Sequence, residues 1–375
     1  MRNLTIGSVW GIPIRLNVSL LVFLPLLAWL LGSGEQIGAY VGVINALWPG
    51  TLDPAAFETG ARSWTIGVLG AVGLFVSVAI PELGHSYVAR RYGIQVESIT
   101  LWILGGLASF QSIPKEWNRE FWIAIAGPAT SVLLGGLFAA ALQVAPAGAP
   151  VLVFTLGFLA VLNVILAVFN LLPAFPMDGG RILRALLARN RPYASATRLA
   201  ARVGTIFALL FIVVGVLSFD FIILLVGLFI YTAATSESRT VILEELLEGL
   251  TVRTLASTDP GADVSDSAAD LMDQLLRARR TDLLVRDGDA VVGVVTASSL
   301  RSLSPDEYAS ATVGDLVTTD LPRLDADLGA FEALVALNQA KSDVALVEED
   351  GRLVGAISGA DFSAALDLQR GTKQI

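Results

Sequence analysis

Hydrophobic positions in this chain form long unbroken runs over the first 235 residues and short, spaced runs over the remainder. The long runs are Leu16–Leu31, Thr65–Val88, Phe121–Val144, Val151–Leu172, Val203–Leu217 and Phe219–Thr235, the last two meeting at Asp220. A membrane-spanning helix needs about 20 mostly apolar residues, so the pattern predicts about six transmembrane helices. Segment 94–113 breaks the pattern: it is rich in β-formers, carries Gly105-Gly106 and ends before Pro114. It reads as a strand or hairpin dipping into the membrane, where protein must shield its backbone. The apolar stretch Ile37–Trp48 is expected to rest on the membrane surface.

Composition agrees. Hydrophobic residues make up 54% and charged residues 16%, with mean hydropathy +0.68; soluble chains average about 25% charged residues. A single water-soluble globule is excluded. The first apolar run has no small-residue cleavage site and reads as a retained span. There is no cysteine and one histidine, His85, which excludes disulfides, thiolate metal sites and any site of several imidazoles. Residues 1–235 hold 13 Lys and Arg against 9 Asp and Glu, and residues 236–375 hold 12 against 25. A tail of net charge −13 excludes nucleic acid as a partner. Twelve of the 13 cations in the membrane half, Arg2 and the 181–202 arginines among them, fall on one side of the six-span arrangement. Cations mark the cytoplasmic side, so both termini are expected there, in the cell membrane, with the arginines as topology anchors.

Ionisable groups inside a bilayer are costly and usually functional. Glu82 and His85 are three residues apart, on one helix face. Asp178 follows the fourth span in Asn170-Leu171-Leu172-Pro173-Ala174-Phe175-Pro176-Met177-Asp178-Gly179-Gly180, whose prolines and glycines turn the chain back towards the bundle. An imidazole and two carboxylates brought together in lipid suggest a hydrolytic metal site.

The run Glu82-Leu83-Gly84-His85-Ser86 resembles the second part of a zinc-protease H-E-x-x-H helix. With the Asn170–Gly180 run it resembles the site-2 protease family of intramembrane metalloproteases, over nearly all of residues 1–245. Gly127-Pro128 in the third span agrees. The resemblance implies an intramembrane protease that hydrolyses peptide bonds of transmembrane client helices under the control of its tail, with a Zn²⁺ held by His85 and Asp178, Glu82 as general base, and Asn170 as a group that helps bind the reacting peptide. One position departs: Pro81 stands where the first H-E-x-x-H histidine belongs. Three readings follow, namely a pseudoprotease that binds client helices without cutting, an inactivated variant of an active enzyme, or hydrolysis with a two-ligand metal, which the chemistry of zinc disfavours. Gly105-Gly106, Gly127 and Gly135-Gly136 are expected to serve close packing.

After a helical linker at 236–249, an internal repeat of about 60 residues occupies roughly 250–304 and 311–368, a period to be read before individual elements. Each copy reads as helix, strand, Asp/Gly turn, strand and helix, with the leading helices at Ser265–Ala278 and Leu328–Gln339. The pair resembles a tandem CBS module, an α/β regulatory unit that often binds adenine nucleotides between its halves. Carried over, the ribose and phosphate contacts are Thr296 in the first copy and Ser358 and Asp361 in the second; Ser299 replaces the acid in the first. Dimerisation through the pair is the alternative. The expected whole is a multi-pass α-helical membrane protein with a short β-rich membrane segment (1–235) and an α/β tandem CBS tail (250–375).

Overall fold

The structure, a computed structural model, describes residues 3–33, 37–57, 60–102, 105–110, 114–258, 261–278, 280, 282–301 and 303–373. Arg2, residues 103–104 and 111–113 of the expected β segment, and Thr281 of the first repeat lie outside the described residues. The chain divides into two compact units, Met1–Ser238 and Arg239–Ile375.

The first unit opens with a hairpin, β1 (Asn3–Val9) and β2 (Ile12–Asn17), followed by helices α1 (Val18–Gly32), α2 (Ile37–Leu47) and α3 (Ala61–Arg91). A second hairpin, β3 (Val96–Trp102) and β4 (Gly105–Phe110), leads to α4 (Trp117–Gln143), α5 (Pro150–Asn170), the short α6 (Asp178–Ala188), α7 (Tyr193–Leu217) and α8 (Phe221–Leu247). Among the described residues five helices, α3, α4, α5, α7 and α8, are long and apolar enough to cross a membrane. The expected first span is shorter: α1 has 15 residues, about 22 Å of helix against a hydrocarbon core of about 30 Å. It forms with α2 a pair bent by 72°, which makes six candidate spans if counted as one. The final tight pair is as expected, with Asp220 Oδ1 accepting the Ile222 and Ile223 amides at 2.9 and 3.1 Å to cap α8.

The described residues of segment 94–113 form an antiparallel strand pair, as its composition predicts, but not a separate one. The sheet order is β1-β2-β3-β4, with β2 parallel to β3 through Ile14↔Ile99 and Leu16↔Leu101. The N-terminal hairpin escapes a span-seeking reading because its pairing partner lies some 80 residues downstream. Ile12, Ile99 and Leu101 bury one face of the sheet against Leu20. The 37–48 stretch has a protein-facing side that its composition does not announce. Ile37, Val41, Ile44 and Trp48 pack on Phe154, Phe158 and Leu142, while Val43 and Leu47 stay exposed on the other side. The expected linker helix at 236–249 is the continuation of α8, which runs unbroken to Leu247 and ends before Gly249 at φ +81°.

The second unit repeats one order of elements. The first copy comprises α9 (Val252–Leu255), β5 (Ala262–Asp263), α10 (Ala268–Ala278), β6 (Asp282–Asp287), β7 (Ala290–Thr296), α11 (Ala297–Arg301) and α12 (Pro305–Ser310). The second comprises α13 (Val313–Leu316), β8 (Arg323–Asp325), α14 (Ala330–Ala340), β9 (Val344–Glu349), β10 (Arg352–Ser358) and α15 (Gly359–Lys373). Each copy forms a three-stranded sheet, a parallel pair followed by an antiparallel one. Leu284 and Val294 of one sheet meet Val344, Leu346 and Ala356 of the other in a shared core, so neither copy buries its apolar face alone.

Candidate active site

His85 sits within α3 and is 5% exposed. Its Nδ1 lies 2.6 Å from the Ile123 carbonyl of α4. A carbonyl only accepts, so Nδ1 carries the proton and fixes the ring, leaving Nε2 to face Asp178 Oδ2 at 3.1 Å. Gly127 makes this possible. A Cβ there would collide with His85 Nε2 and Cε1, so the absent side chain is the space the imidazole occupies.

Asp178 is the first residue of α6. The Pro173–Met177 turn, with a cis Phe175-Pro176 bond, brings it back to α3. Gly179 and Gly180 follow because a Cβ at either would strike the Leu171 and Leu172 carbonyls or the Ala174–Phe175 backbone. The sequence pattern of proline, then Asp-Gly-Gly, is thus a packing requirement for delivering one carboxylate.

A cavity of about 460 Å³ joins these groups. Pro81, Glu82, His85, Asn170 and Asp178 all line it, with residues 105–108 of β4 forming one wall. Backbone at β4 approaches closely: a Cβ on Gly106 would stand 2.5 Å from Glu82 Cγ. All five positions singled out from the sequence therefore meet in one place.

Three residues depart from the sequence-based reading. Arg184, counted as a topology anchor, is 1% exposed. Its Nε donates to Glu120 Oε1 of α4 at 2.7 Å, its Nη1 to Glu237 Oε1 of α8, and its guanidinium stacks between the Phe175 and Tyr193 rings. Burial lowers its proton affinity, but Glu120, Tyr193 and Glu237 together outweigh that and hold it above the usual arginine range. Arg181, also counted as an anchor, lines the cavity. Asn163 was passed over; it is fully buried in α5 and donates to Ser77 Oγ of α3 at 2.9 Å. An asparagine mid-span is a legible polar signal. The packing role expected of the glycines holds at Gly106, Gly127 and Gly135, whereas a Cβ on Gly105 or Gly136 would meet open space.

In the second unit, Thr296 Oγ1 contacts the Ser298 and Ser299 hydroxyls. Ser358 donates through both its amide and its hydroxyl to Asp361 Oδ2, at 2.8 and 2.9 Å. Both Asp361 oxygens also accept from Arg280 of the other repeat, each at 2.9 Å. Arg280 is held above its ordinary range: partial burial acts against it, and Asp361 and Asp282 overcome that. The carboxylate expected to meet ribose already has a partner.

A catalytic zinc site presents three protein ligands and an open position. Among the described residues no three His, Cys, Asp or Glu side chains group to hold a metal. Two lone-pair atoms, His85 Nε2 and Asp178 Oδ2, stand face to face, a contact that a shared proton satisfies as well as a cation. The third position is a proline ring. The residues present do not fit a catalytic zinc.

Comparison with known proteins places this arrangement. The family model described as peptidase family M50 matches residues 69–211, and that of the CBS domain matches residues 313–367. A zinc metalloprotease of Methanocaldococcus jannaschii is 32% identical over 370 residues, covering 98% of this chain and 96% of that protein. Stage IV sporulation protein FB of Bacillus subtilis is 30% identical over 162 residues, covering 39% of this chain and 53% of that protein. The solved site-2 protease from Methanocaldococcus jannaschii is 35% identical, covering 63% of this chain and 95% of that one, at a TM-score of 0.42. The 32% identity of the first relative, along almost the whole of both chains, means that this chain belongs to peptidase family M50, the site-2 protease family of membrane zinc metalloproteases, and carries a CBS tail.

Proposed function

We propose that this chain receives client transmembrane segments in the M50 site but, with Pro81 in place, does not sustain zinc-dependent hydrolysis. One observation carries the reading: Pro81 lines the cavity beside His85 and Asp178, at the position from which a third ligand would come. The rest of the site suits a peptide. β4 is the last strand of its sheet and lines the cavity, and an unpaired strand edge binds an extended segment through backbone hydrogen bonds. Asn170, at the end of α5, offers an amide to the same segment, and Glu82 a carboxylate positioned as the family's base. His85 and Asp178 would supply the two remaining ligands once a third were restored at position 81.

The same reading places the chain in the cell membrane with both termini cytoplasmic, following the lopsided cation count. It assigns 1–235 to client binding, 236–249 to the connection and 250–375 to regulation. An adenine nucleotide then enters the tail through Thr296, Ser358 and Asp361, and it must displace Arg280 to do so.

Metal content and cleavage test the central claim together. The unaltered chain, purified in detergent with zinc supplied, should hold far less than one zinc and leave a model single-pass client uncut. Pro81→His should bring zinc towards one per chain and start cleavage, which a chelator then stops. Stoichiometric zinc and cleavage in the unaltered chain would overturn the proposal.

A further inference from the structure

A second cavity, of about 390 Å³, lies between the last turn of α3 and the tip of the first hairpin, lined by Trp10, Tyr87, Arg90 and Arg91. Between Arg62 and Arg90 α3 carries no other cation. At 1.5 Å per residue those roughly 28 steps cover about 42 Å, the thickness of a bilayer with its headgroups. Arg90 and Arg91 thus fall at headgroup level. Arg90 Nη1 donates to the Trp10 carbonyl at 2.7 Å. Arg91 donates to the Tyr87 hydroxyl and stands 5.1 Å over that ring, and the Trp10 and Tyr87 rings are 5.8 Å apart. Among the described residues neither arginine meets a carboxylate, so two cations share a pocket whose other walls are aromatic.

The hairpin tip supplies an independent observation. Trp10 and Gly11 have φ of +54° and +80°. A two-residue turn with both φ positive suits Asn-Gly and is strained by a bulky first residue. Trp10 is nevertheless 55% exposed, and Leu4 and Ile6 on the adjoining strand are 51% and 60% exposed. Contact with Tyr87 and Arg90 leaves more than half of the Trp10 surface open to an outside partner. An interfacial tryptophan, an apolar strand beside it and paired guanidiniums beneath it match a lipid, with its phosphate on the arginines and its upper acyl chain along β1.

We propose that Trp10, Tyr87, Arg90 and Arg91 form a binding site for the headgroup of an anionic phospholipid. Occupancy fixes the hairpin to the end of α3. Because β2 pairs with β3, and β3 with the cavity-lining β4, the lipid steadies the sheet that borders the site.

Native mass spectrometry of the full chain, released from detergent with phosphatidylglycerol or phosphatidylcholine, tests this. Phosphatidylglycerol should be retained in preference. Arg90→Gln with Arg91→Gln should weaken that retention about thirtyfold, and Arg91→Gln alone about fivefold. Trp10→Asn relieves the turn, so it should melt no lower than the unaltered chain and still lose the preference. Equal retention of the two lipids, or unchanged retention in the arginine variants, would overturn the proposal. Displacement of the lipid by millimolar inorganic phosphate would overturn it in favour of a free-anion site.

Discussion

Arg184→Met removes the cation at the centre of the buried cluster while keeping most of the side-chain volume. Glu120 is 2% exposed, and its Oε2 has no hydrogen-bond partner; its Oε1 is the atom that accepts from Arg184. With Arg184 gone, that carboxylate is left buried and uncompensated. Breaking a buried pair from one side costs about 3–5 kcal/mol, and for a unit of this size each kcal/mol moves the melting point by about 2–4 °C. Arg184→Met should therefore melt roughly 6–20 °C lower. Glu237 is half-exposed, with 36% side-chain exposure, so Glu237→Gln should cost only about 0–1 kcal/mol. The deciding variant is Arg184→Met with Glu120→Met, which leaves no orphaned charge and should recover most of the loss. Thermal unfolding in detergent, followed by tryptophan fluorescence, reads all three. If Arg184→Met melts within about 2 °C of the unaltered chain, or if the double variant is as unstable as the sum of the singles, the burial argument is wrong.

Two further outcomes concern the tail. Arg280→Gln frees the Asp361 carboxylate, so adenine nucleotide affinity should rise about tenfold by calorimetry on the full chain; an unchanged or lower affinity would show that Arg280 serves the nucleotide instead of blocking it. Asp263, Glu307 and Asp315 have proton affinities lowered mainly by hydrogen bonds from Ser265, Ser304 and Thr312. Their folded values lie below the unfolded ones, so their contribution is complete above the ordinary carboxylate range and is lost as pH falls through the folded values. Limited proteolysis should find the tail opening below about pH 4, and at a higher pH in Ser304→Ala with Thr312→Ala; identical profiles would refute the capping account.

Membrane character, the strand-rich segment at 94–113, the repeat in the tail and the candidate residues Pro81, Glu82, His85, Asn170 and Asp178 were legible in the sequence; that these five share one cavity is tertiary. Each legible feature is local: a run of apolar residues, a composition shift, a three-residue helical spacing or a Pro-Gly turn specifies it without reference to distant chain. What the sequence did not disclose depends on partners far away in it. The N-terminal hairpin exists because β2 finds β3. Residues 37–47 gain a buried face because α5 presents Phe154 and Phe158 to them.

Arginine shows the division most sharply. As a residue type near a span end, Arg184 reads like Arg90 or Arg189, since charge outside apolar runs marks topology. Only the fold brings Glu120 and Glu237, from helices on either side of α6, onto one guanidinium and excludes water from it. The same holds for Arg280, whose meeting with Asp361 depends on how the two repeats face each other. The sequence by itself determined which groups were available, including the absence of a second histidine. Tertiary structure decided which of them meet, because burial and pairing are properties of chain segments brought together and not of any one segment.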